Sequence, residues 1–211
     1  MSKENKKGSI LKDTLVLVVI TVVAGFLLGL VYEVTAPIIA QSRLEKKLAA
    51  YKSVFSEANE FIEDESLNTE VSTATDNILI PNGYKNITID EARVAVDAAG
   101  NKLGYIVTVS TKNGYKDVIT LSVGLGLEGD IKGMEIISIN ETAGLGQKAA
   151  EKAFKEQFVN KTVDQFEVTK SGATADNQID AISGATITSS AVAGAVNAGI
   201  CFAANLAEAG N

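Results

Sequence analysis

An uninterrupted apolar run, TLVLVVITVVAGFLLGLVY, occupies Thr14–Tyr32 and contains no charged residue. At 1.5 Å per residue, a helix of this length measures about 28 Å, close to the roughly 30 Å hydrocarbon core of a bilayer. The run therefore predicts a transmembrane helix. A cleaved signal peptide is the alternative, but its apolar region is usually shorter, about 7–15 residues. The best small-residue cleavage site, near Ala36, is followed at once by Pro37, which disfavours cleavage.

The charges on either side of this run predict its orientation. Four lysines precede it, whereas the basic residues that follow it are offset by Glu33 and Glu45. Because positive charge favours the cytoplasmic side, residues 1–13 are predicted to be a cytoplasmic tail and residues 14–32 a single span. The remainder of the chain is then expected on the outer face of the cell (cytoplasmic) membrane.

Changes in composition divide the rest of the chain into a stalk and a domain. Residues 38–58 carry apolar side chains at spacings near three and four, which is typical of a helix. Residues 56–77 are acidic and polar, which predicts a surface loop rather than a disordered linker. We therefore interpret residues 33–80 as a stalk helix followed by a polar loop, and residues 81–211 as the folded domain.

The domain is predicted to be of the α+β class, with an antiparallel sheet flanked by helices. Runs of Val, Ile and Thr separated by Gly- and Asn-containing turns predict a meander. The last helix is almost free of charge and could be read as a second span, but its Ser, Thr and Asn residues favour burial against the sheet. The predicted strands lie near 92–98, 103–111, 117–125, 131–139 and 166–169, and the predicted helices near 147–158 and 186–207.

Composition excludes several classes of function. The net charge is −7 and no basic cluster with interleaved aromatic residues occurs, which argues against nucleic-acid binding. The chain has no histidine and one cysteine, Cys201, so it cannot form a zinc site, a cysteine-ligated iron–sulfur cluster, an intrachain disulfide or a Ser-His-Asp triad. Redox chemistry would therefore require a bound organic cofactor. Cys201 itself is predicted to pack in the core.

One stretch, Asp180–Thr186, is suited to bind a phosphate. Its sequence, D-A-I-S-G-A-T, predicts a loop that turns at Gly184 and enters the last helix. Ser183 is the predicted N-cap, which places Thr186 about three residues further on, within the first turn. That turn has unpaired N–H groups and the positive end of the helix dipole, and the hydroxyls of Ser183, Thr186 and Thr188 add donors or attachment points. The stretch therefore predicts a site for a phosphorylated cofactor.

The same four letters occur twice, as Ser171-Gly-Ala-Thr174 and as Ser183-Gly-Ala-Thr186. Their surroundings differ, because Asp180 lies six residues before Thr186 whereas Val168 lies six before Thr174. A long helix-compatible run follows Thr186, but Ala-Asp-Asn-Gln follows Thr174 and predicts a loop. A phosphate at Thr174 would lack the helix terminus that favours it, so Thr186 is the better candidate.

The stretch D-A-I-S-G-A-T-I-T resembles the flavinylation motif D-x-x-[ST]-G-A-[ST] of FMN-binding domains. In that family a dedicated flavin transferase attaches FMN through its phosphate to the final Thr or Ser. The resemblance implies that Thr186 is the acceptor and that Asp180 and Ser183 are recognition or positioning residues. Gly184 and Ala185 belong to the same motif and are included among the predicted cofactor-binding residues.

A second segment, E-T-A-G-L-G at 141–146, is similar to the family's E-T-P-G-L-G loop, which lies against the flavin. Ala143 replaces the usual proline, which costs some backbone rigidity but removes no interacting group. Lys170 follows a predicted strand, where the family commonly has a lysine beside the cofactor. Taken singly, the glycines read as turn residues, Lys170 as a solvated lysine and Glu141 as a strand cap or surface pair. The cofactor contacts that the resemblance implies are Glu141, Thr142, Gly144, Leu145 and Lys170.

Together with the anchor, the sheet and the last helix, these motifs resemble the G subunit of Rnf electron-transport complexes. They also resemble the C subunit of the sodium-pumping NADH:quinone oxidoreductase, which is usually longer. The resemblance implies a membrane-anchored flavoprotein that relays electrons through covalent FMN within an ion-translocating ferredoxin:NAD oxidoreductase, with no catalytic site beyond the flavin. It implies other membrane and peripheral subunits of an Rnf-type complex, a flavin transferase and membrane lipid as partners. The alternatives are a stand-alone surface flavoprotein that delivers electrons to an extracellular acceptor, and an anchored binding module without a cofactor.

Overall fold

The structure, a computed structural model, describes residues 4–209 of the chain. The first three residues of the predicted tail and the last two of the predicted domain lie outside this range. The chain divides into two compact units, Met1–Lys46 and Lys47–Asn211. The second unit therefore begins well before residue 81, where the sequence placed the start of the domain.

The first long element, α1, is one helix that runs over Glu4–Val54. The predicted span and stalk helix are both parts of it, and Pro37 lies inside it without ending it. Nearby, the Thr35 hydroxyl donates to the Val31 carbonyl at 2.8 Å. Two described helices, α1 and the last helix of the chain, are long and apolar enough to cross a membrane, and the apolar window of α1 is entirely unburied.

Five strands form an antiparallel sheet in the order β1-β2-β3-β4-β5, so the predicted meander and the α+β class are confirmed. The second strand begins at Ile87, well before the predicted residue 92, because a register shift between Ile89 and Glu91 interrupts the alternation of apolar and polar residues. The strands are β1 (Glu60–Ile62), β2 (Ile87–Val96), β3 (Lys102–Thr111), β4 (Ile119–Gly126) and β5 (Ile131–Ser138).

The prediction of a surface loop over 56–77 is wrong. This segment contains β1 and a helix, α2 (Glu65–Ala74), which continues as a wider helical turn over Thr75–Leu79. Asp64 caps α2, because its carboxylate accepts a bond from the Ser66 N–H at 2.8 Å. A few buried apolar residues suffice to hold this polar segment against the core, namely Leu67, Ala74, Ile78 and Leu79.

The predicted helix over 147–158 is broken into three short pieces. A 3-10 turn (Gly146–Ala150) is followed by α3 (Lys152–Lys155) and a second 3-10 turn (Glu156–Phe158). The break falls at Glu151, whose ψ of 148° is extended rather than helical. After the break, Phe158 packs edge-on against the Phe154 ring, with the ring centroids 5.7 Å apart.

The last part of the chain supplies two short strands and a long helix. Strands β6 (Glu167–Thr169) and β7 (Gln178–Asp180) pair in parallel, and α4 (Thr186–Ala209) follows. About two thirds of the apolar window of α4 is buried, 67%, which confirms the interpretation of α4 as a core helix. Cys201 is half-buried on α4 and packs against the core, and burial raises the pKa of its thiol.

The sheet is covered on both faces. Val107 and Val109 of β3 belong to the main core with α4, whereas Ile106 packs with Tyr51 and Val54 at the end of α1. Because alternate strand residues point to opposite faces, α4 and the last turns of α1 lie on opposite sides of the sheet. The described structure thus fixes the start of α4 beside the ends of the central strands.

Candidate cofactor cavity

A cavity of about 580 Å³ lies at the start of α4. Three separate segments form its wall, and two of them are the motifs singled out in the sequence. The loop after β5 and the first turn of α4 therefore meet in space, and the turn before β4 joins them. The lining residues are Tyr115, Glu141, Thr142, Leu145, Gly146, Gly184, Ala185, Thr186, Ile187 and Thr188.

The helix α4 begins at Thr186, so the prediction that Ser183 is the N-cap is wrong. The first intrahelical bond joins the Ser189 N–H to the Ala185 carbonyl at 3.0 Å, which makes Ala185 the N-cap residue. Gly184 has a φ of +76°, which turns the backbone away from the helical path before the helix starts. Ser183 is left exposed, and Thr186 is the first helical residue rather than the third.

The turn before α4 is held by a buried hydroxyl within the helix. Ser189 Oγ accepts from the Ile182 N–H and donates to the Ala185 carbonyl, each at 3.0 Å. Leu145 covers the turn from outside, because a Cβ on Gly184 would lie 3.1 Å from Leu145 Cδ2. The positive φ and this close approach both require glycine at position 184, and they fix how the loop enters the helix.

Thr186 is half-buried and its side chain is available for modification. Within residues 4–209 no hydrogen bond engages its hydroxyl. The N–H groups of Thr186, Ile187 and Thr188 precede the first intrahelical bond, so they have no acceptor within the helix. Together with the helix dipole, these donors favour an anion beside Thr186.

Glu141 is buried in the cavity wall, with only 3% of its surface exposed. Its Oε1 accepts from the Lys116 N–H at 3.1 Å and its Oε2 from the Thr188 hydroxyl at 3.0 Å. Two glycines make room for the carboxylate. A Cβ on Gly146 would lie 2.7 Å from both Glu141 Cβ and Thr188 Oγ1, and one on Gly114 would lie 2.8 Å from Glu141 Oε1. Glu141 is therefore not a surface residue but a link between three segments.

Four of the predicted site residues do not line the cavity: Gly144, Lys170, Asp180 and Ser183. Gly144 lies in the exposed turn of the E-T-A-G-L-G loop with a φ of +75°. Lys170 is exposed just after β6. Asp180 ends β7, and its Oδ1 accepts from the Ala173 N–H at 2.7 Å, so it organises the neighbouring loop.

The two Ser-Gly-Ala-Thr stretches have different surroundings in the structure as well. Thr174 lies in an exposed loop that leads into β7, not into a helix. Its N–H and its hydroxyl both donate to Gln178 Oε1, at 3.0 and 3.1 Å. Thr174 thus has an engaged hydroxyl away from the cavity, in contrast to Thr186.

The sequence did not point to Tyr115, whose ring lines the cavity and is 69% exposed. Its one local signal is its position directly after the Lys112-Asn113-Gly114 turn, which is ordinary for a loop aromatic. Thr188 was expected to add a donor for a ligand, but its hydroxyl donates to Glu141 instead.

Known proteins share these features. Residues 114–200 match the family model of the FMN-binding domain, and residues 1–54 match that of the RnfG N-terminal region. The G subunit of the Na(+)-translocating ferredoxin:NAD(+) oxidoreductase complex of Acetobacterium woodii is 31% identical over 201 residues, which cover 94% of each chain. The chain belongs to the RnfG family. A second RnfG relative, the G subunit of the proton-translocating ferredoxin:NAD(+) oxidoreductase complex of Clostridium ljungdahlii, is 30% identical over 91% of this chain and 90% of its own.

A third relative is the G subunit of the ion-translocating oxidoreductase complex of Methanosarcina acetivorans. It is 31% identical over 92% of this chain and 94% of its own. The similarity to these RnfG proteins thus extends from the apolar helix through the domain that contains the cavity.

The residues of this RnfG protein fit FMN. A cavity of about 580 Å³ falls within the range of roughly 300–1,000 Å³ that is usual for cofactor sites. The start of α4 supplies N–H donors for a phosphate, and Leu145 and Tyr115 supply aliphatic and aromatic surface. All three segments of the cavity wall lie within the residues that match the FMN-binding domain.

Proposed function

We propose that this RnfG protein carries FMN covalently, through a phosphoester to Thr186, and relays electrons within an ion-translocating ferredoxin:NAD oxidoreductase complex. One observation carries the proposal. The free hydroxyl of Thr186 lies at the first residue of α4, in the wall of the cavity that the E-T-A-G-L-G loop completes. The names of the similar RnfG proteins, subunits of ferredoxin:NAD(+) oxidoreductase complexes, support the choice of complex.

The cavity residues would bind and orient the cofactor, while FMN itself supplies the electron-transfer chemistry. The first turn of α4 would bind the phosphate through its unpaired N–H groups. Leu145 and Tyr115 would contact the ring system, with Thr142 and the backbone at Gly144 at the edge of the site. Lys170 would balance negative charge near the cofactor if its flexible side chain reaches the cavity.

Attachment requires recognition by a flavin transferase, and the exposed part of the motif suits that role. Ser183 and Asp180 lie on the surface ahead of Thr186, where an enzyme can contact them. We therefore assign them to recognition rather than to contact with bound FMN.

We further propose that residues 1–13 lie in the cytoplasm, that residues 14–32 contact membrane lipid, and that the domain faces the outer side. The lysines that precede the apolar run support this orientation. The packing supports a domain that starts at Lys47 rather than at residue 81. Membrane and peripheral subunits of the complex are the expected partners.

The test is retention of flavin on the denatured chain. The full-length protein is produced with a flavin transferase, precipitated in acid and examined for flavin fluorescence on a denaturing gel. We expect fluorescence from the unchanged protein, none from Thr186→Ala, and full signal from the matched control Thr174→Ala. Production without the transferase should give a colourless protein. Fluorescence that survives in Thr186→Ala and disappears in Thr174→Ala would show that the site is wrong.

The assignment to a complex is tested by purification in mild detergent. One component of a larger assembly should co-purify with other membrane proteins and lose electron transfer when they are stripped away. A stand-alone flavoprotein would purify by itself and still reduce an extracellular acceptor, which would contradict the proposal.

A further inference from the structure

We propose that Glu141 lowers the reduction potential of the cofactor by fixing a negative charge in the cavity wall. This inference rests on the function proposed above, because it concerns flavin bound beside Thr186. Glu141 lines the same cavity as Thr186 and is almost completely buried, so water screens its charge poorly.

The hydrogen bonds of Glu141 come from neutral groups. One donor is the backbone N–H of Lys116 and the other is the Thr188 hydroxyl. Among residues 4–209, the ion pairs of the structure do not include Glu141. Both carboxylate oxygens act as acceptors, and within that same range no Lys or Arg side chain neutralises the charge at salt-bridge distance.

The position of this charge is fixed by the surrounding backbone. Gly114 and Gly146 leave no more space than the carboxylate needs, since a Cβ on either would lie within 2.8 Å of a Glu141 atom. Thr188, which holds Oε2, is in the same helical turn as Thr186. The carboxylate therefore keeps a defined place relative to the attachment site and cannot swing into solvent.

A fixed negative charge affects oxidised and reduced cofactor differently. Reduction adds electrons, and negative charge that stays on the ring is repelled by a buried carboxylate more strongly than it would be in water. The start of α4 acts in the opposite direction, but it is directed at the phosphate, whose charge is the same in both redox states. Glu141 should therefore favour the oxidised form and make the reduced cofactor a stronger electron donor.

The test compares midpoint potentials of full-length, flavinylated protein in detergent, measured by spectroelectrochemistry. Glu141→Gln removes the charge but keeps the size of the side chain. We expect it to raise the relative affinity for reduced over oxidised flavin by at least tenfold, which is an upward shift of about 30 mV for a two-electron couple. The matched control is Thr188→Val, which removes a hydrogen bond to the same carboxylate but keeps the charge, and it should not raise the potential.

The possible outcomes separate the two proposals. If Glu141→Gln takes up flavin and its potential is unchanged, the proposal is wrong. Equal upward shifts in Glu141→Gln and Thr188→Val would assign the effect to geometry and also overturn it. If Glu141→Gln does not load flavin, Thr188→Val decides, since an upward shift there contradicts a role for the charge and an unchanged potential supports it. If the unchanged protein carries no flavin, the proposed function fails first.

Discussion

Gly124 on β4 should tolerate no side chain, because the end of α1 packs directly on it. A Cβ at this position would lie 2.3 Å from Val54 Cγ1 and 2.9 Å from Phe55 Cδ2. Both neighbours are buried, at 4% and 3% exposure, so neither can move into solvent. Overpacking of this kind typically costs about 1–3 kcal/mol. For a unit the size of Lys47–Asn211, Gly124→Ala should therefore lower Tm by roughly 2–12 °C.

The matched control is Gly133, the cross-strand partner of Gly124 on β5. A Cβ there would lie 3.4 Å from Val54 Cα and from the Val54 carbonyl oxygen, which is ordinary contact. Gly133→Ala should be neutral or should stabilise by up to about 1 kcal/mol, because alanine has less freedom in the unfolded chain. Thermal unfolding of the full-length variants in the same detergent, followed by circular dichroism, measures the difference. Equal Tm values for the two variants would refute the packing of α1 on this face of the sheet.

Two further changes test the hydroxyl contacts of the domain. Burial raises the pKa of Tyr51, so the stability that this side chain contributes is present below the unfolded pKa of about 10 and is lost as pH rises through the higher folded pKa. Tyr51→Phe should cost about 0.5–1.5 kcal/mol at pH 7 in denaturant unfolding and should weaken the loss of stability above pH ~10; an unchanged pH profile would contradict this. Gly146→Ala should force Glu141 and Thr188 apart, cost about 1–3 kcal/mol and reduce flavin fluorescence on denaturing gels. The exposed neighbour Gln147→Ala should retain both properties, and normal flavin loading of Gly146→Ala would argue against a close-packed wall.

The sheet could be predicted from sequence because its turns are marked locally. Gly100 and Gly129 both adopt positive φ between runs of β-branched residues, so the hairpins are visible as patterns. The helix α2 could not, since its sequence ESLNTEVSTA is mostly polar and only Leu67 and Ala74 are buried. Its helical state depends on the Asp64 cap and on packing against β2, which a local pattern does not contain.

For the site, the sequence predicted which segments matter but not how each residue is used. The resemblance drew attention to the loop at 141–146 and to the start of the last helix, and the structure places both in one wall. The bond between Glu141 and Thr188 joins residues 47 apart, and no local rule connects them. Ser183 was misassigned as a cap because the positive φ at Gly184, one residue later, moves the start of α4 to Thr186.

The cavity is assembled from contacts between residues that are distant along the chain, with Glu141 linked to Lys116 across 25 positions and to Thr188 across 47. Contacts of this kind carry a loop-closure cost and form with the fold as a whole, not within one segment. An enzyme that reads the assembled wall modifies only chains that have finished folding. Colour on the polypeptide then certifies quality, so that misfolded copies reach the membrane unmarked and can be sorted from competent ones.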